Sequence, residues 1–209
     1  MKVIEISKQI WGEGNKIKMA NGLMAVMNVE TNGSFKAHQI MGKDLIPLDK
    51  MTKKDFENEI SIKQKDGSIE KKKSSRDVGL IQFTQDALVE IGEFKNGSGF
   101  DKLHEVKLKF AKMGEIEQLK FVKKYFEKAT NKIVSPEDIY LHVFAPAGVN
   151  QKDDYSLYER GTEKYRQNKS VDIENNNDGI IRRSEILGRY KISFAEGLGK
   201  KKKRLLIVN

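Results

Sequence analysis

The sequence predicts an α+β fold, mostly α-helical, with one small β-hairpin and a short C-terminal extension. Three observations predict it. Apolar residues recur at spacings of three and four through much of residues 20–160. One stretch alternates polar and apolar residues around a turn dipeptide, and the texture becomes polar beyond residue 160. With 209 residues there is enough chain for one sizeable core, and we expect a domain over 1–160, a polar segment over 161–190 and a basic tail over 191–209.

The elements follow in order. Asn21 is a candidate N-cap for a helix carrying Leu23, Met24, Val26 and Met27 and ending at Glu30. Thr52-Lys53-Lys54-Asp55 has the form of a capping box and opens a short helix through Phe56 and Ile60. Residues Ile60 to Gln64 alternate, meet Asp66-Gly67, and resume as Ser68 to Lys71, which makes an exposed, basic hairpin. Thr84 caps a helix through Leu88 and Ile91 that stops at Gly92. Asp101 caps another with Leu103, Val106, Phe110 and Met113 on one stripe, and Ile116, Leu119, Val122 and Phe126 continue the pattern. Ser135-Pro136-Glu137-Asp138 starts a helix holding Tyr140, Leu141, Val143 and Phe144, which must end near Pro146.

Composition narrows the chemistry. Charged residues are 33% of the chain, hydrophobic ones 38%, and the net charge is +9. Such a surface suits a polyanion: nucleic acid, anionic lipid, or a bacterial wall with its peptide carboxylates and teichoic phosphates. The basic residues are spread along the chain and interleave poorly with aromatics, so nucleic acid is not the expected partner. Lacking cysteine, the chain has no disulfide, thiolate or zinc-thiolate chemistry. No apolar run approaches the roughly 20 residues of a membrane span. The stretch Met1 to Ile6 has an acid within its apolar residues and no small-residue cleavage site, so we expect no signal peptide. His38, His104 and His142 lack metal-ligand spacing, and no phosphate loop, dinucleotide fingerprint or nucleophile elbow is present.

Two motifs carry the chemistry. In Glu30-Thr31-Asn32-Gly33-Ser34-Phe35, Glu30 follows Val26 by four and Leu23 by seven residues, so a carboxyl shares a helix face with apolar side chains. Burial of that kind raises a glutamate's pKa and lets it serve as an acid near neutrality. From the helix alone, the simpler reading is a terminal glutamate making a local hydrogen bond. The second motif, Val78-Gly79-Leu80-Ile81-Gln82-Phe83, is a glycine-led apolar run with one amide able to donate and accept. Alone it reads as a buried strand or turn.

Together and in this order, the pair resembles the goose-type lysozyme and soluble lytic transglycosylase branch of the lysozyme-like superfamily, closest to phage-type members reading E-T-x-G-x-F … G-L-I-Q-F. Tyr140 to Gly148 resembles that branch's last groove motif, Ala-Tyr-Asn-Ala-Gly, but lacks the asparagine and gains Pro146. The resemblance implies a bacteriolytic glycosidase cutting the β-1,4 bond between N-acetylmuramic acid and N-acetylglucosamine. Glu30 would be the acid, and Gly79, Leu80, Ile81, Gln82, Tyr140 and Phe144 would line the saccharide groove. Tyr140 and Phe144 are equally well placed for the core.

A hydrolase needs a second carboxylate, whereas a transglycosylase uses one glutamate as acid then base while the sugar's own hydroxyl attacks. Asp55, Glu57, Glu59, Asp66, Glu70 and Asp77 are available, and Asp77, nearest the Gly-Leu-Ile-Gln run, is our choice. Such an enzyme acts on peptidoglycan outside the cytoplasm after delivery by other machinery, as a phage or secretion-system effector, and an immunity protein would be a further partner. The competing expectation is a non-catalytic wall-binding or phage-structural module. No cofactor is expected for catalysis. One loop, however, resembles an EF-hand, with Glu174, Asn176, Asp178, the Ile180 carbonyl and Glu185 as ligands for weakly bound Ca²⁺. It departs from that pattern at Glu174 and Arg182, and no well-patterned helix precedes it.

Overall fold

The computed structural model describes residues 2–63 and 67–205. It is 54% helical with small antiparallel sheets, so the α+β, mostly helical expectation holds. The chain divides into two compact units, residues 30–128 and residues 1–29 with 129–209. These units cut across the boundaries expected at 160 and 190.

In the first unit, Thr52 and Asp55 form the expected capping box, the Thr52 amide donating to Asp55 Oδ2 at 2.9 Å. It opens only a single 3-10 turn, Lys53–Phe56. Strand β1 (Glu57–Lys63) follows directly and pairs with β2 (Ile69–Ser75), with Ile60 opposite Lys72 and Ser61 opposite Lys71. Ile60 is thus in a strand, because the alternation that begins earlier than Ile60 outcompetes a short helix with little to bury. Residues 64–66 of the expected turn lie outside the described residues. Three helices complete the unit, which we label by their order in the whole chain: α3 (Gln85–Glu90), α4 (Gly99–Lys112) and α5 (Glu115–Glu127). Thr84 caps α3 through its hydroxyl, which accepts from the Ala87 amide at 3.0 Å. Asp101 is not the cap of α4: the helix begins at Gly99, and Asp101 lies in its first turn, bridging to Lys53. Phe56, Phe83, Leu88, Phe110, Val122 and Phe126 are the inner residues.

In the second unit, α1 (Lys2–Trp11) is an amphipathic helix that the sequence reading did not assign. Helix α2 (Lys16–Glu30) starts five residues before Asn21, the cap proposed from sequence. Asn21-Gly22 reads as a breaker, but a Cβ on Gly22 would lie 2.6 Å from Pro136 Cβ. Close packing of this turn on the start of α6 (Pro136–Phe144) therefore explains a glycine inside a helix. The start of α6 has the expected N-cap, Ser135, and N3 acid, Asp138. Asp138, 2% exposed, accepts from the Ser135 amide at 3.0 Å, the Ser135 hydroxyl at 2.7 Å and the Asn150 amide at 3.2 Å. We expect Asp138→Ala to destabilise the protein by about 1–2 kcal/mol, because the N-cap and three part-buried donors lose their acceptor. Urea unfolding checks this, with a lower midpoint and an unchanged slope.

Residues 161–190 are not simply polar. Strand β3 (Ser156–Glu159) pairs antiparallel with β4 (Ile180–Arg182), and between them runs α7 (Glu163–Glu174). Helix α8 (Arg183–Leu205) takes in most of the segment expected as a basic tail. Tyr165, Asp172, Ile181, Leu187 and Tyr190 are buried, so this region contributes to a packed core. Residues 206–208 lie outside the described residues.

Candidate active site

Glu30 is the last residue of α2 and is half-buried. The turn that follows explains the motif after it. The Thr31 hydroxyl is fully buried and accepts from the Phe35 amide at 2.9 Å, while the Ser34 amide donates to the Thr31 carbonyl at 3.1 Å. Asn32, Gly33 and Phe35 all adopt left-handed backbone, with φ of 49°, 78° and 52°. Gln82, in the second motif, has φ of 51°. Three of the five non-glycine residues with positive φ among the described residues thus fall in the two motifs singled out from sequence. Strain of this kind persists only where its surroundings hold it, and it concentrates at functional sites.

One residue absent from the sequence reading joins the motifs. The Ser34 hydroxyl donates to Gln39 Oε1 at 3.1 Å, and the Gln39 carbonyl accepts from the Gly79 amide at 2.8 Å and from Gln82 Nε2 at 3.2 Å. Short antiparallel bridges between Ile40 and Val78 and between Val78 and Phe83 complete a small framework. The Met41 amide donates to the Asp77 carbonyl at 2.9 Å, which brings the exposed Met41 beside Asp77.

The acids in this framework are perturbed. Burial, reinforced by the negative charge of Asp77, pushes the Glu30 carboxyl up to about 8. Among the described residues no hydrogen bond or cation reaches Glu30 to oppose this. Of the six carboxylates considered from sequence, Asp77 is the one whose charge acts on Glu30. Burial also raises Asp77, but the Lys107 ammonium, 3.2 Å from its Oδ1, pulls the other way. The two carboxyls therefore sit in different settings: burial raises both, and Asp77 alone has a cation that opposes it.

Other expected site residues serve differently. Leu80 and Ile81 are buried core residues rather than groove lining. Gly79 was read as a place for close ligand approach, but the group that approaches is Gln118. A Cβ on Gly79, whose φ is 93°, would lie 2.4 Å from Gln118 Oε1. Fully buried Gln118 accepts from the Leu80 amide at 2.6 Å and donates to the Ala37 and Phe110 carbonyls, each at 3.0 Å. The only signal for it in sequence is a polar residue next to the apolar stripe of α5. Gln82 Nε2 also donates to the Gly79 carbonyl at 2.9 Å, so its amide nitrogen fastens the framework. Its Oε1 is buried and has no hydrogen-bond partner among the described residues, so the side chain serves the framework rather than an open groove.

Tyr140 and Phe144 belong to the other compact unit. The Tyr140 ring is 3% exposed and stacks on Phe144 at 5.6 Å and on Tyr190 at 5.5 Å, which makes it a core residue. Phe144 keeps an exposed surface.

The calcium-like loop has the preceding helix that the sequence reading lacked, α7, and Gly179 has the positive φ of 92° that such a loop requires. Its Asp178 and Glu185 carboxylates, however, are engaged internally, and the Glu174 side chain lies outside the described residues. Arg182 pairs with Asp178 at 2.8 Å, the Arg182 amide donates to Glu185 Oε2 at 2.7 Å, and the Ile180 amide donates to Asp178 Oδ1 at 2.9 Å. No group of three or more potential metal ligands forms among the described residues. Buried Asp172, accepting from Tyr165 and from the Gly179 amide, braces the loop from within. Asn176, Asp178 and Glu185 thus do not fit a calcium site as arranged.

No family model, curated protein or solved structure matches this chain. Function is therefore argued from the chemistry of the site.

Proposed function

We propose that the chain is a peptidoglycan-degrading glycosidase that cleaves the β-1,4 bond between N-acetylmuramic acid and N-acetylglucosamine, with a lysozyme-like domain and Glu30 as its general acid. One observation carries the reading: Glu30 is half-buried, unpaired and protonated near neutral pH, beside a second carboxyl that is held by a cation. A carboxylic acid in that state can protonate the leaving oxygen of a glycosidic bond.

Asp77 favours hydrolysis over internal attack by the sugar. In that sequence, Glu30 gives its proton to the glycosidic oxygen as the bond from the anomeric carbon breaks. A water molecule forms the new bond to that carbon and passes a proton to Asp77. The products are a reducing end and a free 4-hydroxyl, and proton exchange with solvent restores both carboxyls. The exposed apolar side chain of Met41, whose amide is bonded to the Asp77 carbonyl, suits a sugar face or methyl group. The net charge of +9 concentrates the protein on an anionic wall.

Mass spectrometry of digested sacculi tests this reading. Reducing-end muropeptides are expected. Anhydro ends would assign the attack to the sugar's own hydroxyl with Glu30 acting alone, and binding without products would make the chain a wall-binding module. Asp77→Asn is expected to slow hydrolysis by about 10²-fold and to move the alkaline limb of the pH profile to lower pH, because the charge that raises Glu30 is gone. A pH–rate profile of the variant checks both effects.

A further inference from the structure

Lys107 is a lysine that composition and periodicity would place in solvent, yet its side chain is 0% exposed. It lies on the inner face of α4 with Leu103, Phe110 and Ala111. Its ammonium donates to the Arg76 carbonyl at 2.7 Å and to Asp77 Oδ1 at 3.2 Å. An ammonium group without water is costly, and an apolar side chain of similar size would fill the same space. Retaining the charge there calls for a role beyond packing. Asp77 supplies it: its side chain is 20% exposed, one oxygen is pinned by Lys107, and Oδ2 has no hydrogen bond among the described residues.

We propose that Lys107 is a positioning residue of this site: clamped between the Arg76 carbonyl and Asp77 Oδ1, it keeps the Asp77 carboxylate ionised and oriented with Oδ2 available to take a proton from the attacking water. The proposal rests on the glycosidase reading for its meaning, but the clamp itself is a property of the folded protein. Three charged or titratable groups act on Asp77: Lys107 from α4, Asp86 from α3 and Glu30 from the end of α2. Asp86 is exposed and Glu30 keeps its proton up to about 8, so Lys107 is the cation that opposes the burial by which Asp77 is raised. Burial and the Lys107 charge itself push His104, one turn before Lys107 on α4, below the usual histidine range.

The test pairs two readouts in Lys107→Met and in Lys107→Gln, which keeps a donor but removes the charge. Carboxyl-carbon NMR follows the Asp77 titration in the folded full chain. The midpoint is expected to rise by about 1–2 pH units in both variants, and Lys107→Arg should hold it near the parental value. On sacculi, the acidic limb of the pH–rate profile should move upward by the same interval while the alkaline limb stays in place. An unchanged Asp77 midpoint in whichever charge-removing variant folds would overturn the proposal. An inactive parental protein with a shifted midpoint would overturn the glycosidase reading and leave the clamp standing. An active protein whose acidic limb ignores Lys107 would do the reverse.

Discussion

Glu30→Gln is expected to reduce clearing of purified sacculi by about 10³-fold while leaving the fold intact, since glutamine keeps the shape and has no proton to give. In the parental protein the same group sets the alkaline limb: activity should fall as pH rises through about 8, where Glu30 loses its proton. The effect on stability has the opposite sense. Because its folded-state pKa is raised from 4.5 to about 8, the native protein keeps a proton that the unfolded chain has released between those values. Stability therefore declines as pH climbs through that window, and the full cost is present above it. Glutamine cannot ionise, so the variant should match the parent below the window and exceed it above by about 1–3 kcal/mol. Thermal unfolding of both proteins at pH 4 and pH 9 measures the difference. A variant that loses activity and gains alkaline stability identifies an acid kept protonated for chemistry. A variant that loses both would reduce Glu30 to a structural residue.

Gly79→Ala should be among the most damaging small substitutions in the chain. Its φ of 93° is strained for alanine, and the new methyl would lie 2.4 Å from Gln118 Oε1. Gln118 is fully buried and held by three hydrogen bonds, so it cannot swing aside without leaving the Leu80 amide and the Ala37 and Phe110 carbonyls unpaired. Backbone strain and the clash together should cost about 3–5 kcal/mol. Shortening the neighbour tests the cause. In Gly79→Ala/Gln118→Ala the clash is gone, so the double variant should lose less than the two single losses added together. Additive losses in a urea-unfolding cycle would show that the two positions are not in contact.

How much was legible from sequence follows from which signals are local. The capping box at Thr52, the N-cap and N3 acid at Ser135 and Asp138, and the cap at Thr84 are set by residues a few positions apart, and these expectations hold. Where a distant segment decides, local reading fails. Gly22 resembles a helix boundary until Pro136 is seen against it, and residues 161–190 look polar because β3, α7 and β4 bury only a few of their side chains. The same division runs through the site. The partial burial of Glu30 was legible because the spacing puts a carboxyl on an apolar helix face, while its expected role came from the two motifs taken together. Gln39, Lys107 and Gln118 were not, since the role of each comes from partners 30 or more residues away: the Lys107 side chain at Asp77, the Gln118 side chain at Ala37 and Leu80, and the Gln39 backbone carbonyl at Gly79 and Gln82. Polar residues that hold a site together have no periodicity to betray them.

The proton on Glu30 is what the proposed chemistry requires, and it can be observed directly. Carboxyl-carbon NMR on protein labelled at glutamate, with the signal assigned by its disappearance in Glu30→Gln, gives the titration midpoint of this one group in the folded chain. The proposed role predicts a midpoint of about 8. A midpoint at the ordinary glutamate value of 4.5 would mean that residue 30 is ionised wherever the protein works, and a general acid there would be ruled out.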